Sequence, residues 1–167
     1  MDIEEKVKYL LDRFEIQDVI VKYSFGQDMH QGENNNLIET WKDVFTADAI
    51  LDYSAAGAPA AASYVEMIKI MRGDGTKPGN MNGFTNWQHL TGNPVVIVNG
   101  ENASARTDMW MTHKGKADSN KQPQSLYVAG AFTDKLTRTD KGWKISFRKL
   151  ELHFMDMIKT IPINEWT

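Results

Sequence analysis

The chain has 167 residues, enough for one domain with a real core, and its 41% hydrophobic and 25% charged residues are ordinary for a soluble globular protein. A net charge of −3 with scattered basic residues lacks the clustered basic face that nucleic acid requires, so no nucleic-acid partner is expected. The absence of cysteine excludes disulfides, thiol nucleophiles and thiolate metal sites, and the acidic amphipathic N-terminus and lack of a bilayer-length apolar run predict a cytoplasmic protein with no membrane partner.

The first segment has helical period. Val7, Phe14, Val21 and Asp28 recur every seven residues, and Leu10, Leu11, Ile20 and Phe25 broaden the stripe, which predicts a helix with that face buried. Phe25-Gly26 and the polar run His30-Gln31-Gly32-Glu33-Asn34-Asn35-Asn36 end it. A short helix follows over 37–45, with Leu37, Trp41 and Val44 on one side, then a brief strand over 49–53 and an Ala/Gly/Pro loop over 55–62. A third helix over 63–71 is stopped by Gly73-Asp74-Gly75 and Pro78-Gly79.

From there the period becomes two. Strands are predicted over 84–98, with a bulge at Gly92-Asn93-Pro94, and over 103–113, 125–139 and 143–154. Asn99-Gly100 and Lys141-Gly142 mark tight turns. Helices first and an antiparallel meander afterwards describe an α+β fold, in which a strongly bent sheet over helices makes a cone around an apolar pocket. No repeat or long linker divides the chain, so residues 1–167 are expected to form a single domain.

The segments Phe14-Glu15-Ile16-Gln17-Asp18 and Gly26-Gln27-Asp28, the stretch Trp41, Phe45-Thr46-Ala47-Asp48-Ala49 and Asp52-Tyr53, and the ending Phe132-Thr133-Asp134-Lys135-Leu136 with Asp140-Lys141-Gly142-Trp143-Lys144-Ile145 carry a resemblance. Together they resemble the SnoaL-like branch of the NTF2-like superfamily, over nearly the whole chain. The resemblance implies an NTF2-like cone, a strongly curved antiparallel sheet packed on three N-terminal helices. The branch includes scytalone dehydratase, the lindane dehydrochlorinase, polyketide cyclases and natural-product isomerases, which need neither metal nor organic cofactor. It therefore implies a cofactor-independent lyase of dehydratase type, acting on a small apolar, polyketide- or natural-product-like molecule. An isomerase or cyclase using the same residues, and a non-catalytic ligand-binding or association module, are the alternatives.

Residue by residue, the resemblance places a catalytic aspartate at Asp28 and a catalytic histidine at His89. Tyr53 falls on the dehydratase tyrosine that holds the substrate carbonyl, and Arg148 on the dehydrochlorinase arginine that faces the leaving group. The departures are Gln27, where the dehydratase has a tyrosine, Thr107, near where its second histidine lands, and Gly130 and Phe132 in place of a Ser/Asn pair. Scytalone itself is therefore not the expected substrate.

The residue types suit the chemistry. Imidazole is the natural general base at neutral pH, and a carboxylate on one ring nitrogen fixes the tautomer and stabilises the imidazolium that forms. Asp28 at a helix end is costly to bury unless paired, but lone buried Asp and His residues are often purely structural. Tyr53 suits a carbonyl or enolate oxygen and equally suits a core position. Alternation puts Thr107, Met109, Met111 and His113 on one strand face and Arg106, Asp108, Trp110 and Thr112 on the other. The expected substrate contacts are Tyr23, Trp87, Thr107, Met109, Met111, Val128, Phe132 and Leu150. His30 is a rival base, while His113 and His153 carry no assignment. No His/Asp/Glu spacing reads as a metal site and no glycine pattern as a phosphate loop. A homodimer or homotrimer is expected through the outer sheet face, with Trp110 or Trp143 in the contact. The loop over 73–83 and a tail lid with Ile158, Ile161, Ile163 and Trp166 are expected to bound the pocket.

Overall fold

Two capping boxes set where the longer helices begin. In the computed structural model, which describes residues 2–29, 36–117 and 123–160, α1 runs Ile3–Asp28. Asp2 accepts from the Glu5 amide while the Glu5 carboxylate accepts from the Asp2 amide, which satisfies two of the donors a helix start leaves free. Ser63 and Glu66 repeat the device at the start of α3, Tyr64–Arg72. Between them α2 is a short turn, Leu37–Trp41, capped by Asn36. Gly26 allows α1 and α2 to touch, because a Cβ there would stand 2.7 Å from Trp41 Nε1 and 2.9 Å from Leu37 Cδ1.

The strands are β1 (Phe45–Asp52), β2 (Phe84–Thr91), β3 (Val95–Asn99), β4 (Asn102–Gly115), β5 (Gln124–Thr139) and β6 (Gly142–Lys159). They form one sheet in the order β1-β6-β5-β4-β2, and β3 also pairs with β4. The sheet is an antiparallel meander except at one edge, where β1 joins β6 in parallel. The stretch predicted as one bulged strand is two, β2 and β3, laid successively along β4. Pro94 stands between them and has no N–H to give a ladder.

Two extra residues on β6 bend the sheet. Ala129 pairs with Phe154 and Gly130 with Leu152, which leaves His153 unpaired; Lys135 pairs with Phe147 and Leu136 with Ile145, which leaves Ser146 unpaired. At the first bend Gly130 is needed, since a Cβ would come within 2.0 Å of the Glu151 carbonyl oxygen. The curved, open sheet wraps the helices and gives the α+β cone expected from the order of elements. Alternation along β4 holds throughout, with Thr107, Met109, Met111 and His113 turned inward and Arg106, Asp108 and Trp110 exposed.

The predicted buried stripe of α1 is corrected. Val7, Leu10, Leu11, Phe14 and Phe25 are exposed, and the buried face is Asp12, Ile16, Ile20, Tyr23, Ser24, Gly26 and Gln27. A seven-residue repeat drifts around a straight helix of 3.6 residues per turn, so the spacing found a real stripe but not the core-facing one. Leu10 and Phe14 instead meet Pro94 and Val96 at a surface cleft, beside exposed Val95 and Ile97. Trp143, expected on the outer face, is buried against Asp12, to which its Nε1 donates at 3.3 Å. Ile158 lies on β6, while the rest of the expected lid, and His30, fall outside the described residues.

Asp12 is the polar anchor at this end of the cone. It accepts from Arg138, from Trp143 and from Lys8 at 3.2 Å. Burial alone would raise its pKa, but the hydrogen bonds from Arg138, Lys8 and Trp143 outweigh it and hold the carboxyl below its ordinary value. A depressed folded-state pKa contributes stability that is present above the unfolded value and is lost as pH falls through the folded one. Asp12→Asn is therefore expected to lower stability at neutral pH by about 2 kcal/mol. Urea melts should show the gap to wild type closing below about pH 4; a gap that stays constant into acid would refute the linkage.

Candidate active site

The last residue of α1 and the edge strand β2 meet through one carboxylate. Asp28 Oδ2 accepts from the backbone N–H of His89 at 3.0 Å, and Asp28 Oδ1 lies 2.7 Å from the His89 ring Nδ1. With the carboxylate ionised and the ring neutral, Nδ1 carries the hydrogen and Nε2 is left as the acceptor. The two bonds fix both the backbone position and the ring plane of His89. Its side chain is 4% exposed, whereas that of Asp28 is 26% exposed and borders a wide open groove with Asn86, Gln88, Thr112 and Lys114. The charge keeps contact with water while the ring does not.

Arg72, at the end of α3, secures the helix end. Its Nη2 donates to the carbonyls of Gly26 at 3.2 Å and Gln27 at 2.9 Å, a cation placed at the negative end of the α1 dipole. Its guanidinium also stands 5.5 Å from the centre of the Trp87 ring, and burial lowers its pKa to about 10. It remains charged at neutral pH.

On the inner side, His89 borders a cavity of about 130 Å³. The wall is largely apolar, with Met67, Ile70, Met71, Met111, Leu126, Val128, Leu150 and Leu152, and side chains with polar atoms are fewer: Tyr23, Gln27, Tyr53, Asn80, Trp87, His89 and His113. An enclosed apolar space of about 150 Å³ holds one benzene, so this cavity suits a single ring. His113 stands edge-on to His89, with ring centres 5.3 Å apart.

Three side chains form a hydrogen-bonded series along one wall. Gln27 Nε2 donates to Tyr23 Oη at 3.2 Å, and Tyr23 Oη lies 2.5 Å from Tyr53 Oη. Burial pushes the Tyr53 phenol well above its ordinary pKa, Tyr23 adds to the rise and Arg148 opposes it, so Tyr53 stays a neutral O–H. Below the tyrosines, Arg148 makes a two-point bond to Asp134, 2.7 Å at each contact, with both side chains fully buried. Its guanidinium lies 4.2 Å from the ring centres of both Tyr23 and Phe132. Burial works against this cation, but Asp134 more than compensates and its pKa is raised.

Comparison with known proteins decides the family. The model of the SnoaL-like domain matches residues 8–149. The chain belongs to the SnoaL-like family, within the NTF2-like superfamily. Solved structures agree in fold at low identity. A protein of Novosphingobium aromaticivorans provisionally named a scytalone dehydratase is 21% identical, with 90% of each chain covered and a TM-score of 0.69. The hexachlorocyclohexane dehydrochlorinase LinA-type3 of Novosphingobium barchaimii is 17% identical, with 93% of this chain and 96% of that chain covered and a TM-score of 0.68. An NTF2-like protein with a cystatin-like fold, also from N. aromaticivorans, is 18% identical, with 91% and 90% covered and a TM-score of 0.66. No curated protein matches the sequence.

In this SnoaL-like cone the expected residues separate into two groups. Asp28 and His89 are bonded to each other, and Tyr23, Tyr53, Trp87, Met111, Val128 and Leu150 border the cavity with His89. Thr107, Met109, Phe132 and Arg148 are buried but do not line it; Phe132 and Arg148 pack against Tyr23. Sequence reasoning missed Gln27 as a wall residue, because it was read only as a departure from the family, and His113, whose alternation with Met111 was the available signal. Asn80 and Met81 of the loop over 73–83, and Met155, do border the cavity. Among the described residues no group of three or more His, Asp or Glu is placed to hold a metal ion, and no helix is long and apolar enough to cross a membrane.

The pair of hydrogen bonds to Asp28 has a direct readout. Asp28→Ala should leave the edge N–H of His89 open to solvent, and its amide exchange should speed up about tenfold or more. Unchanged protection of that amide would show that Asp28 does not hold the strand.

Proposed function

We propose that this chain is a lyase of the dehydratase type, one SnoaL-like unit with one site, in which His89 Nε2 removes a proton beside a carbonyl of a small, largely apolar ring. The observation that carries the reading is the 2.7 Å bond from His89 to Asp28 at the wall of a largely apolar cavity. It leaves a base nitrogen with fixed orientation in a dry site, and a carboxylate ready to stabilise the imidazolium. The names borne by the SnoaL-like relatives, a scytalone dehydratase and a dehydrochlorinase, point to the same class of elimination.

The step balances without further groups. The C–H electrons move into the carbonyl, and the oxygen that becomes negative accepts from the Tyr53 hydroxyl. When the enolate collapses, the bond to the β-hydroxyl breaks, the double bond forms, and the imidazolium returns its proton to the departing oxygen as water. Arg148, fully buried with Asp134, acts on Tyr53 through Tyr23 by its charge; it does not touch the cavity. A double-bond isomerisation or a ring closure would begin with the same proton removal and differ only in what the enolate does next. A polyketide-like ring ketone fits either course. Assembly into a dimer or trimer belongs to the same proposal, supported by exposed Trp110 and Phe154 on the outer sheet face.

Proton abstraction can be measured before the substrate is known. Wild-type protein in D2O should accelerate deuterium uptake at the α-carbons of cyclohexanone, followed by NMR. His89→Ala should lower that rate by about 10²–10⁴-fold, the usual worth of a positioned general base. Tyr53→Phe should lower it less, by about tenfold, as expected for one lost hydrogen bond to the developing charge. An exchange rate equal in wild type and His89→Ala would favour a ligand carrier instead.

A further inference from the structure

The seven-residue repeat of α1 lies on the outside of the cone. Ile3, Val7, Leu10 and Phe14 follow one another at alternating steps of four and three residues, and with Leu11 beside them they are 48–73% exposed. At 3.6 residues per turn the strip stands about 130° round the helix from the buried Ile16 and Ile20, so core packing does not account for it. Alternating steps of four and three are the pattern of a seam where two helices pack side by side. The cleft that Leu10 and Phe14 form with Pro94 and Val96 extends the same surface. At these exposures the five side chains offer on the order of 500 Å² per copy, so a pair of copies would bury about 1,000 Å², where specific interfaces begin.

The charges beside the strip say what covers it. With Ile3, Val7, Leu10 and Phe14 as the seam, Lys6 and Arg13 lie along one flank and Glu4, Leu11 and Asp18 along the other. In a parallel pair of identical helices, a residue of the first flank meets the second copy's residue five positions further on. Arg13 then meets Asp18 of the second copy, twice by symmetry, and the Lys6 stem lies over Leu11. An antiparallel pair would instead set Lys6 beside Arg13, two like charges. Arg13 and Asp18 are both exposed, and neither has an ion-pair partner among the described residues. We propose that two copies of this chain pair in parallel through α1, with the apolar strip as the seam and Arg13–Asp18 contacts on both sides. The contact is separate from the outer sheet face that carries Trp110, and it depends neither on His89 nor on the lyase reading.

Sedimentation velocity of the full chain, diluted through the micromolar range, tests the pairing. Wild type should sediment as a dimer that dissociates on dilution. Leu10→Glu combined with Phe14→Glu should weaken the dimer by about a thousandfold, because four apolar side chains are lost from the seam. Both positions are exposed, and a thermal melt checks that the variant is folded. Arg13→Asp should weaken the dimer by about tenfold, since it sets like charges together twice. Adding Asp18→Arg to that variant should restore the wild-type affinity. Residues five apart on one helix are not neighbours, so restoration reports a contact between copies in the parallel register. Should the seam variant not fold, this charge exchange decides alone. A monomeric wild type, a trimer, or a charge reversal that the second substitution does not rescue would overturn the proposal. So would an assembly lost in Trp110→Glu and kept in the seam variant, which would move the contact to the outer sheet face.

Discussion

The bond from Asp28 to both the backbone and the ring of His89 is the constraint around which the site is arranged. It joins the end of the first helix to an edge strand 61 residues away in the chain. An edge N–H that would otherwise face water is paired, and a ring that could rotate is held in one plane. One side of the carboxylate remains wet and the imidazole is dry, so charge and base occupy different environments although the atoms touch. That division would suit the general base proposed above, with the imidazole set against a largely apolar wall.

Support for this contact comes from polar groups at the far side of the helix stripe. The face of α1 turned inward carries Asp12, Tyr23, Ser24 and Gln27 among its few apolar residues. Each of Asp12, Tyr23 and Gln27 is tied to another element, to Arg138 and Trp143, to Tyr53, and to Arg72 through the backbone. The fully buried Arg148–Asp134 pair lies under the tyrosines with its cation between two aromatic faces. Replacing such a pair with apolar residues often costs a protein nothing, whereas removing one partner is strongly destabilising. In this fold the cation also lies where it can act on the Tyr23–Tyr53 hydroxyls, a use that an apolar replacement would forfeit.

The order of elements was legible in the sequence, because helical spacing before residue 72 and alternation after residue 84 are separate signals. Strand β4 could be read to the correct face at every inward position, from Thr107 to His113. The orientation of α1 could not. Its inward face carries several polar residues, and its outward face holds Leu10, Leu11 and Phe14, so hydrophobic spacing alone pointed the wrong way. Asp28 and His89 were found through family resemblance, since nothing in their spacing says that a helix end will meet an edge strand. Gln27 and His113 were passed over because a residue that departs from a family pattern carries no positive signal until its neighbours are known. The parallel placement of β1 beside β6 depends on contacts between the two ends of the chain, which local patterning does not encode.

In the proposed site Asp28 holds His89 with its hydrogen on Nδ1 and Nε2 open to the cavity. The most direct measurement is the ring tautomer of His89 by long-range proton–nitrogen NMR correlation at a pH where the ring is neutral. The Nδ1–H form is expected in wild type, and its loss in Asp28→Ala. An Nε2–H ring in the wild-type protein would contradict it, because the nitrogen facing the cavity would then be a donor and could not take a proton from any ligand.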